Sequence, residues 1–449
     1  MSPAIEKPKV AIFGLGYVGL TMGTVLADLG FTVLGVEPRK RNVRNLRKGI
    51  APIHEKGLTE MLKKHINRRF KVFDGPREAR ADIYVVAVGT PVDSADKVPN
   101  LEYIESAAES IGRLIRQGNL ALLRSTVPVG TTRDVFIPIV ERVSGLKAGR
   151  DFSVVFAPER TSEGSALTEL RFLPQIIGGV DDASVTKAAR FFRFMTPQII
   201  PVSSLEAAEL VKLFNNCYRD VIFGFANEVA LICDGFNLDP VEIIGASNKD
   251  YPRSSMPYPS PGVGGYCLTK DPFILLHSAK EIAFKPYIVF HGRRVNSLMP
   301  SHAVTKVKRF LTKIARKPPS QATVGILGFA YKGHPETADI RFSPTMDVTA
   351  LLGQAGIKKI IGHDPIVDPA EIRRLGIQYS RNVAGCFKGA DAVIVMTNHA
   401  SYRNRSLLNH LFLMNKPGLF FDPWQMHARQ EIMRRPGLHY SNLGFDSFR

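Results

Sequence analysis

The chain has 449 residues, more than one hydrophobic core usually organises, so two or three domains are expected. Apolar residues at 45% and charged residues at 22% exclude a disordered chain. The formal net charge of +18, from 59 Lys+Arg against 41 Asp+Glu, fits nucleic acid, a membrane surface or a small polyanionic ligand and cannot choose among them.

No apolar run approaches the roughly 20 residues of a membrane span. The start, MSPAIEKPKVAIFGLG, enters a strand without a signal peptide, so a cytoplasmic protein with no membrane partner is expected. The cysteines, Cys217, Cys233, Cys267 and Cys386, show no C-x-x-C spacing, so neither a metal site nor a disulfide framework is expected. The basic stretches 39–48 and 63–71 read as helical and lack interleaved aromatics, which favours solvated helix faces over a nucleic-acid site.

In chain order, a strand at 9–13 enters Gly14-Leu-Gly16-Tyr-Val-Gly19, a helical pattern runs to residue 29, and a strand at 31–36 ends at Glu37. Further strands fit 83–88, 120–123, 154–157 and 176–178, with helical stretches between them, which implies a parallel sheet covered on both faces. Residues 205–236 then read as one long helix, with Ser203 and Glu206 as a capping box and Gly235 near its end. A Pro/Ser/Gly-rich loop, 251–265, leads to Cys267, and more helix follows to about residue 311. After a linker at 317–320, strands at 322–327, 358–362 and 392–396, with Asp364 placed after its strand as Glu37 is, read as a second Rossmann-like domain. The expected layout is α/β: a Rossmann-like doubly wound domain at 1–202, a central long-helix dimerisation region at 203–316 and another Rossmann-like domain at 317–449.

The G-x-G-x-x-G run between strand and helix points to dinucleotide binding, because glycines permit the tight turn and helix amides face the pyrophosphate. Glu37, eighteen residues past Gly19, is placed to accept ribose hydroxyls and to repel a 2′-phosphate, favouring NAD; otherwise it caps a turn. Arg39 and Arg41 lie close by in sequence. Cys267 sits in PGVGGYCLTKDP, where glycines admit close backbone approach and a helix start would favour thiolate; the other cysteines read as packing residues. Lys212 and Asn216, four apart, share a helix face that is either solvated or a site.

Seven segments together resemble the UDP-glucose/GDP-mannose dehydrogenase family: VAIFGLGYVG (10–19), GTP (89–91), STVPVGTT (125–132), PERTSEG (158–164), ELVKLFNN (209–216), GVGGYC (262–267) and GFAYK (328–332). The resemblance implies four-electron oxidation of the 6-hydroxymethyl group of a UDP-sugar, with two NAD reduced. It makes Cys267 the nucleophile of a thiohemiacetal and a thioester, and Lys212 with Asn216 the stabilisers of the oxyanion. It gives Asp271, with a water positioned by Thr126, the base role, and Glu159 a part in hydrolysis. It also implies cofactor contacts at Gly14, Gly16, Tyr17, Val18, Gly19, Glu37, Arg41, Thr90, Thr126, Glu163 and Arg341. Substrate contacts fall on Glu159, Lys212, Asn216, Gly264, Lys332 and, across a homodimer interface, Arg253.

The chain departs from the family pattern at Phe342, where Arg-Glu-Ser-Pro is usual, at 333–339, where a commoner acidic stretch is replaced, and at Tyr266. Because Tyr251-Pro-Arg253 resembles the amino-sugar branch, a UDP-N-acetylhexosamine is favoured over UDP-glucose. The competing readings are a two-electron dehydrogenase or epimerase-like enzyme that needs no thiol, and a non-catalytic polyanion-binding protein.

Overall fold

The apolar run Val10–Phe13 is buried along its whole length in the computed structural model, which describes residues 7–449. It forms β1 of an eight-stranded sheet with β2 (Val33–Val36), β3 (Phe70–Phe73), β4 (Ile83–Val86), β5 (Leu120–Leu123), β6 (Ser153–Phe156), β7 (Gln175–Gly179) and β8 (Ile199–Val202). The order is β3-β2-β1-β4-β5-β6-β7-β8. Val10 and Ile12 face one apolar cluster while Ala11 and Phe13 face another, so the sheet is buried on both sides and its central strands carry unbroken apolar sequence.

Two expectations change here. The sheet is not wholly parallel, because β6 and β7 pair antiparallel, with Val155 opposite Gly179. The basic stretch 63–71 is not all helix: the helix ends at His65 and β3 begins at Phe70, where Phe70 and Val72 are buried and Lys71 is exposed. That alternation has a period of two, and the charge count hid it. The other basic stretch is a helix, Lys40–Arg47, burying Val43 and Leu46.

These elements belong to the first of two compact units, which comprises the chain up to Asn216 together with Phe273–Lys285. The second comprises Cys217–Pro272 and Pro286–Arg449, so the central helices are divided between the units. The long helix Leu205–Phe236 has 32 residues, about 48 Å at 1.5 Å per residue. Its cap is Ser204, not Ser203: the Ser204 hydroxyl accepts from the Ala207 amide at 3.1 Å, while Glu206 is drawn to Arg133 at 2.6 Å.

The second unit contains β9 (Thr323–Leu327), β10 (Lys359–His363), β11 (Gln378–Tyr379), β12 (Ala392–Val395), β13 (Gly418–Phe421) and β14 (Leu438–Ser441). Their order is β11-β10-β9-β12-β13-β14, with all pairs parallel. Val324 and Ile326 pack against Met299, Val307 and Phe310 of the helix Tyr287–Lys313, while Leu327 and Val395 face a separate cluster. In both sheets the strand order reverses beside the first strand of the unit, which opens a crevice beyond the carboxyl ends of the strands. No helix among the described residues is long and apolar enough to cross a membrane.

Candidate active site

The glycines after β1 serve different ends. Gly14 has φ +90°, and a methyl there would meet the Ala87 carbonyl oxygen at 2.7 Å; one on Gly19 would meet the Gly14 oxygen at 1.9 Å. A methyl on Gly16 would meet nothing within 4 Å, so protein packing does not require that glycine. The open space in front of Gly16, at the start of the helix Tyr17–Asp28, suits a pyrophosphate approaching helix amides. At the end of β2, Glu37 is 2% exposed and pairs with the exposed Arg39 at 2.7 Å. Its other oxygen receives two long bonds, 3.4 Å from the Leu15 amide and 3.5 Å from the Arg39 guanidinium. Arg41 is exposed on the next helix.

Tyr17 donates its hydroxyl to Glu55, whose carboxylate accepts from the amides of Gly164 at 2.7 Å and Ala166 at 2.9 Å. Burial and then the Glu55 carboxylate push the Tyr17 phenol far above its usual range, with Glu163 adding to the effect. Tyr17 and Glu55 thus tether the segment carrying Glu163, and nothing in the local sequence marks Glu55 for this. Thr90, after β4, donates to the Thr126 carbonyl at 2.5 Å, joining two strand-end loops.

Glu159 is buried after β6 and saturated. Arg124 donates to one oxygen at 2.7 Å, and the amides of Arg160 and Thr161 donate to the other at 2.7 and 2.8 Å. Burial works to raise its pKa, but Arg124, the Thr161 amide and Lys212 prevail and hold the carboxyl below its ordinary value. Lys212 and Asn216 are buried, so their helix face is not a solvated one. One turn before Lys212 lies Glu209, which accepts from Gly130 N at 2.6 Å, Thr132 N at 2.9 Å and Thr132 Oγ1 at 2.6 Å.

In the second unit, Cys267 is the exposed cysteine; Cys217, Cys233 and Cys386 are buried, and burial raises all three thiols, Cys386 to about 12. The helix begins at Asp271 rather than directly after Cys267, with residues 266–270 in turns. The Cys267 carbonyl nevertheless accepts from Lys270 N at 3.2 Å and Asp271 N at 2.9 Å, the start of helical bonding. Lys270, three residues after Cys267, carries no motif signal in the sequence. It is buried, 2.6 Å from Asp271 and 5.3 Å from the Tyr266 ring. Burial acts to discharge it, but Asp271, then Cys267, outweigh that and hold the ammonium above its ordinary pKa.

The glycines before Cys267 make room for other protein atoms, backbone and side chain alike. A methyl on Gly264 would meet the Phe342 carbonyl oxygen at 2.5 Å, and one on Gly265 the Tyr331 ring at 2.7 Å. Phe342 is 58% exposed, at φ 54°, with its ring 6.1 Å from that of Tyr266. Arg341 pairs with Asp339 at 2.6 Å and lies 5.2 Å from the Tyr266 ring. Beyond β9, Lys332 is half-buried 5.6 Å from the Tyr331 ring, and Gly333 N donates to Asn398 at 3.0 Å. Asp364 receives four amides: Phe329, Ala330, Ile366 and Val367. It is a loop anchor, whereas Glu37 holds the exposed Arg39 side chain and accepts from the amides of Arg39 at 3.2 Å and Leu15 at 3.4 Å. Arg253 is exposed and donates to the Tyr251 hydroxyl at 3.0 Å.

Residues 8–196 match the profile of the UDP-glucose/GDP-mannose dehydrogenase family NAD binding domain, 206–298 its central domain and 325–429 its UDP binding domain. The chain belongs to this family. It is an NAD-dependent oxidoreductase acting on a CH–OH group of a nucleotide sugar, and the open cradle at Gly16 with Glu37 beyond β2 fits the cofactor. Among relatives, UDP-N-acetyl-D-mannosamine dehydrogenase of Pyrococcus horikoshii is 32% identical over 398 residues, 88% of this chain and 90% of the relative. The solved UDP-D-ManNAc dehydrogenase from Pyrococcus horikoshii matches with TM-score 0.87 and 30% identity, covering 97% of this chain and 99% of that one. A UDP-glucose dehydrogenase from Pyrobaculum islandicum matches at TM-score 0.85 and 27% identity, over 99% and 100% of the two chains.

Proposed function

We propose that this enzyme oxidises the 6-hydroxymethyl group of a UDP-N-acetylhexosamine to the carboxylate, in two NAD-linked steps through a covalent bond to Cys267. The observation that carries this reading is the contrast among the cysteines: three are buried with raised thiol pKa, while Cys267 is exposed beside the buried Lys270–Asp271 pair. The names of the relatives, several of them UDP-N-acetyl-D-mannosamine dehydrogenases, support the amino-sugar substrate over UDP-glucose.

NAD, when bound, accepts a hydride from C6 in each oxidation. In the first, the hydroxyl proton leaves to a water held by Asp271 and Thr126, giving the aldehyde. The Cys267 thiolate then adds to the aldehyde carbon, and Lys212 with Asn216 stabilises the oxyanion of the thiohemiacetal. Loss of a second hydride gives a thioester; water attacks it, the C–S bond breaks and the thiolate leaves with the carboxylate formed. Glu159, low in basicity and fully hydrogen-bonded, contributes by anchoring its loop and balancing the Lys212 charge rather than by taking a proton.

The division at 1–202, 203–316 and 317–449 into cofactor, central and nucleotide-sugar parts is supported by the gaps between the three matched segments, 8–196, 206–298 and 325–429. Tyr218, Phe225 and Ile232, seven residues apart on the long helix, are all more than half exposed, and Phe236 is 75% exposed. This stripe supports a homodimer, with Arg253 offered to the partner copy. NAD and UDP-sugars are intracellular metabolites, which supports a cytoplasmic site of action.

Incubation with NAD and a panel of UDP-sugars tests the reading. Two NADH per sugar with a UDP-N-acetylhexosamine is expected; no NADH with any sugar refutes it. A dimer in solution that Phe225→Asp converts to monomer is expected, and a monomeric wild type refutes the interface.

A further inference from the structure

The mechanism leaves unused a buried charged network beneath the cysteine loop. Arg293, on the helix Tyr287–Lys313, donates through one nitrogen to the Val263 carbonyl at 3.2 Å and through another to the Leu268 carbonyl at 3.2 Å. Those carbonyls flank Cys267 on either side. The second nitrogen also donates to Asp220 at 2.8 Å; Asp220 is fully buried on the long helix, two turns beyond Lys212 and one beyond Asn216. Asn296 donates to the same Asp220 oxygen at 2.9 Å and to its backbone carbonyl at 2.8 Å. Asn296 in turn accepts from Asn227, and Asn227 accepts from the Ser260 amide, both at 2.8 Å.

We propose that Arg293 is a positioning residue for the reaction: with Asp220 it clamps the arc from Val263 to Leu268 and so fixes the height and direction of the Cys267 thiol. The inference rests on the covalent role given to Cys267 above. Stability alone does not explain the arrangement. A buried ion pair is commonly matched or exceeded by apolar residues of similar volume, and here the second Asp220 oxygen is buried without a hydrogen-bond partner among the described residues. A planar guanidinium spans two carbonyls and a carboxylate in one fixed fork, which an ammonium cannot reproduce. The Ser260 branch secures the loop upstream of the glycines, so both ends of the arc hang from the same two helices.

The test uses the full-length enzyme, Arg293→Lys, and the charge-neutral pair Asp220→Asn with Arg293→Gln, which removes both charges if the lysine variant fails to fold. Each is assayed for kcat and KM and for the rate of Cys267 alkylation by iodoacetamide, read by mass spectrometry. Loss of the clamp is expected to lower kcat roughly 10- to 100-fold, as misplacing a reacting atom by an ångström does, with KM for NAD within about threefold of wild type. The alkylation rate of Cys267 is expected to change in the same variants. Wild-type kcat and alkylation rate in a folded variant, even one of lowered thermal stability, overturn the proposal. If wild type forms no NADH with any UDP-sugar, the functional reading fails while the alkylation rates still decide the clamp.

Discussion

Gly19 and Gly14 approach so closely that a methyl group on Gly19 would lie 1.9 Å from the Gly14 carbonyl oxygen. That contact lets the helix Tyr17–Asp28 start directly above the end of β1. Gly16, between them, has φ −73°, which any residue adopts, and open space where its side chain would be. The two glycines are therefore separable by mutation. Gly16→Ala is expected to fold with a near-wild-type melting temperature and to lose NAD affinity, whereas Gly19→Ala is expected to destabilise by about 1–3 kcal/mol, as overpacking does. Thermal melts beside NAD titrations check both; a Gly16→Ala enzyme with unchanged NAD affinity contradicts the assigned pyrophosphate position.

Glu37 holds Arg39 by an ion pair at 2.7 Å, so the cation that would otherwise attract a 2′-phosphate is neutralised by the residue proposed to receive the ribose. Glu37→Ala removes both effects. The KM for NAD is expected to rise about 10- to 100-fold, the value of a charged hydrogen bond, while use of NADP increases. Steady-state kinetics with both cofactors measure this, and an unchanged NAD to NADP ratio refutes the role.

With one exposed thiol against three buried ones, native enzyme is expected to take up one iodoacetamide per chain, on Cys267, and the remaining thiols only after unfolding. Cys267→Ala is expected to lose formation of the acid. Peptide mapping and the ratio of NADH to sugar provide the readout, and full acid production by the variant contradicts the covalent route.

Local chemistry made much of this legible in the sequence. Buried parallel strands such as VAIF and LALL read as unbroken apolar runs, and glycines at a strand-to-helix turn announce their geometry. Short or half-exposed strands did not: β3 mixes Lys71 with phenylalanines, and β11 is two residues long. Partners distant in sequence were also invisible. Glu55 reaches Gly164 across 109 residues and Arg293 reaches Val263 across 30, and neither sits in a motif. Lys270 lay within the quoted cysteine segment, yet its burial against Asp271 is a tertiary fact that no spacing announces.

Glu209 carries the clearest pH signature. Burial pushes its carboxyl up to about 7, against the opposing hydrogen bonds from Thr132 and Gly130, and neighbouring Glu206 adds to the rise. The folded state therefore binds this proton more tightly than the unfolded chain. Its contribution to stability is fully present below the unfolded value, about 4.5, and is lost as pH rises through about 7. The shift corresponds to about 3 kcal/mol between those limits. Other groups titrate nearby with the opposite sign: His302, His363 and His427 have pKa values lowered by burial, and they gain stability as pH rises toward the ordinary histidine value. The comparison that isolates Glu209 is thus wild type against Glu209→Gln, unfolded by denaturant from pH 5 to 8. Wild type is expected to lose stability relative to the variant as pH rises, and parallel curves across that range would show that the carboxyl is already ionised at pH 5.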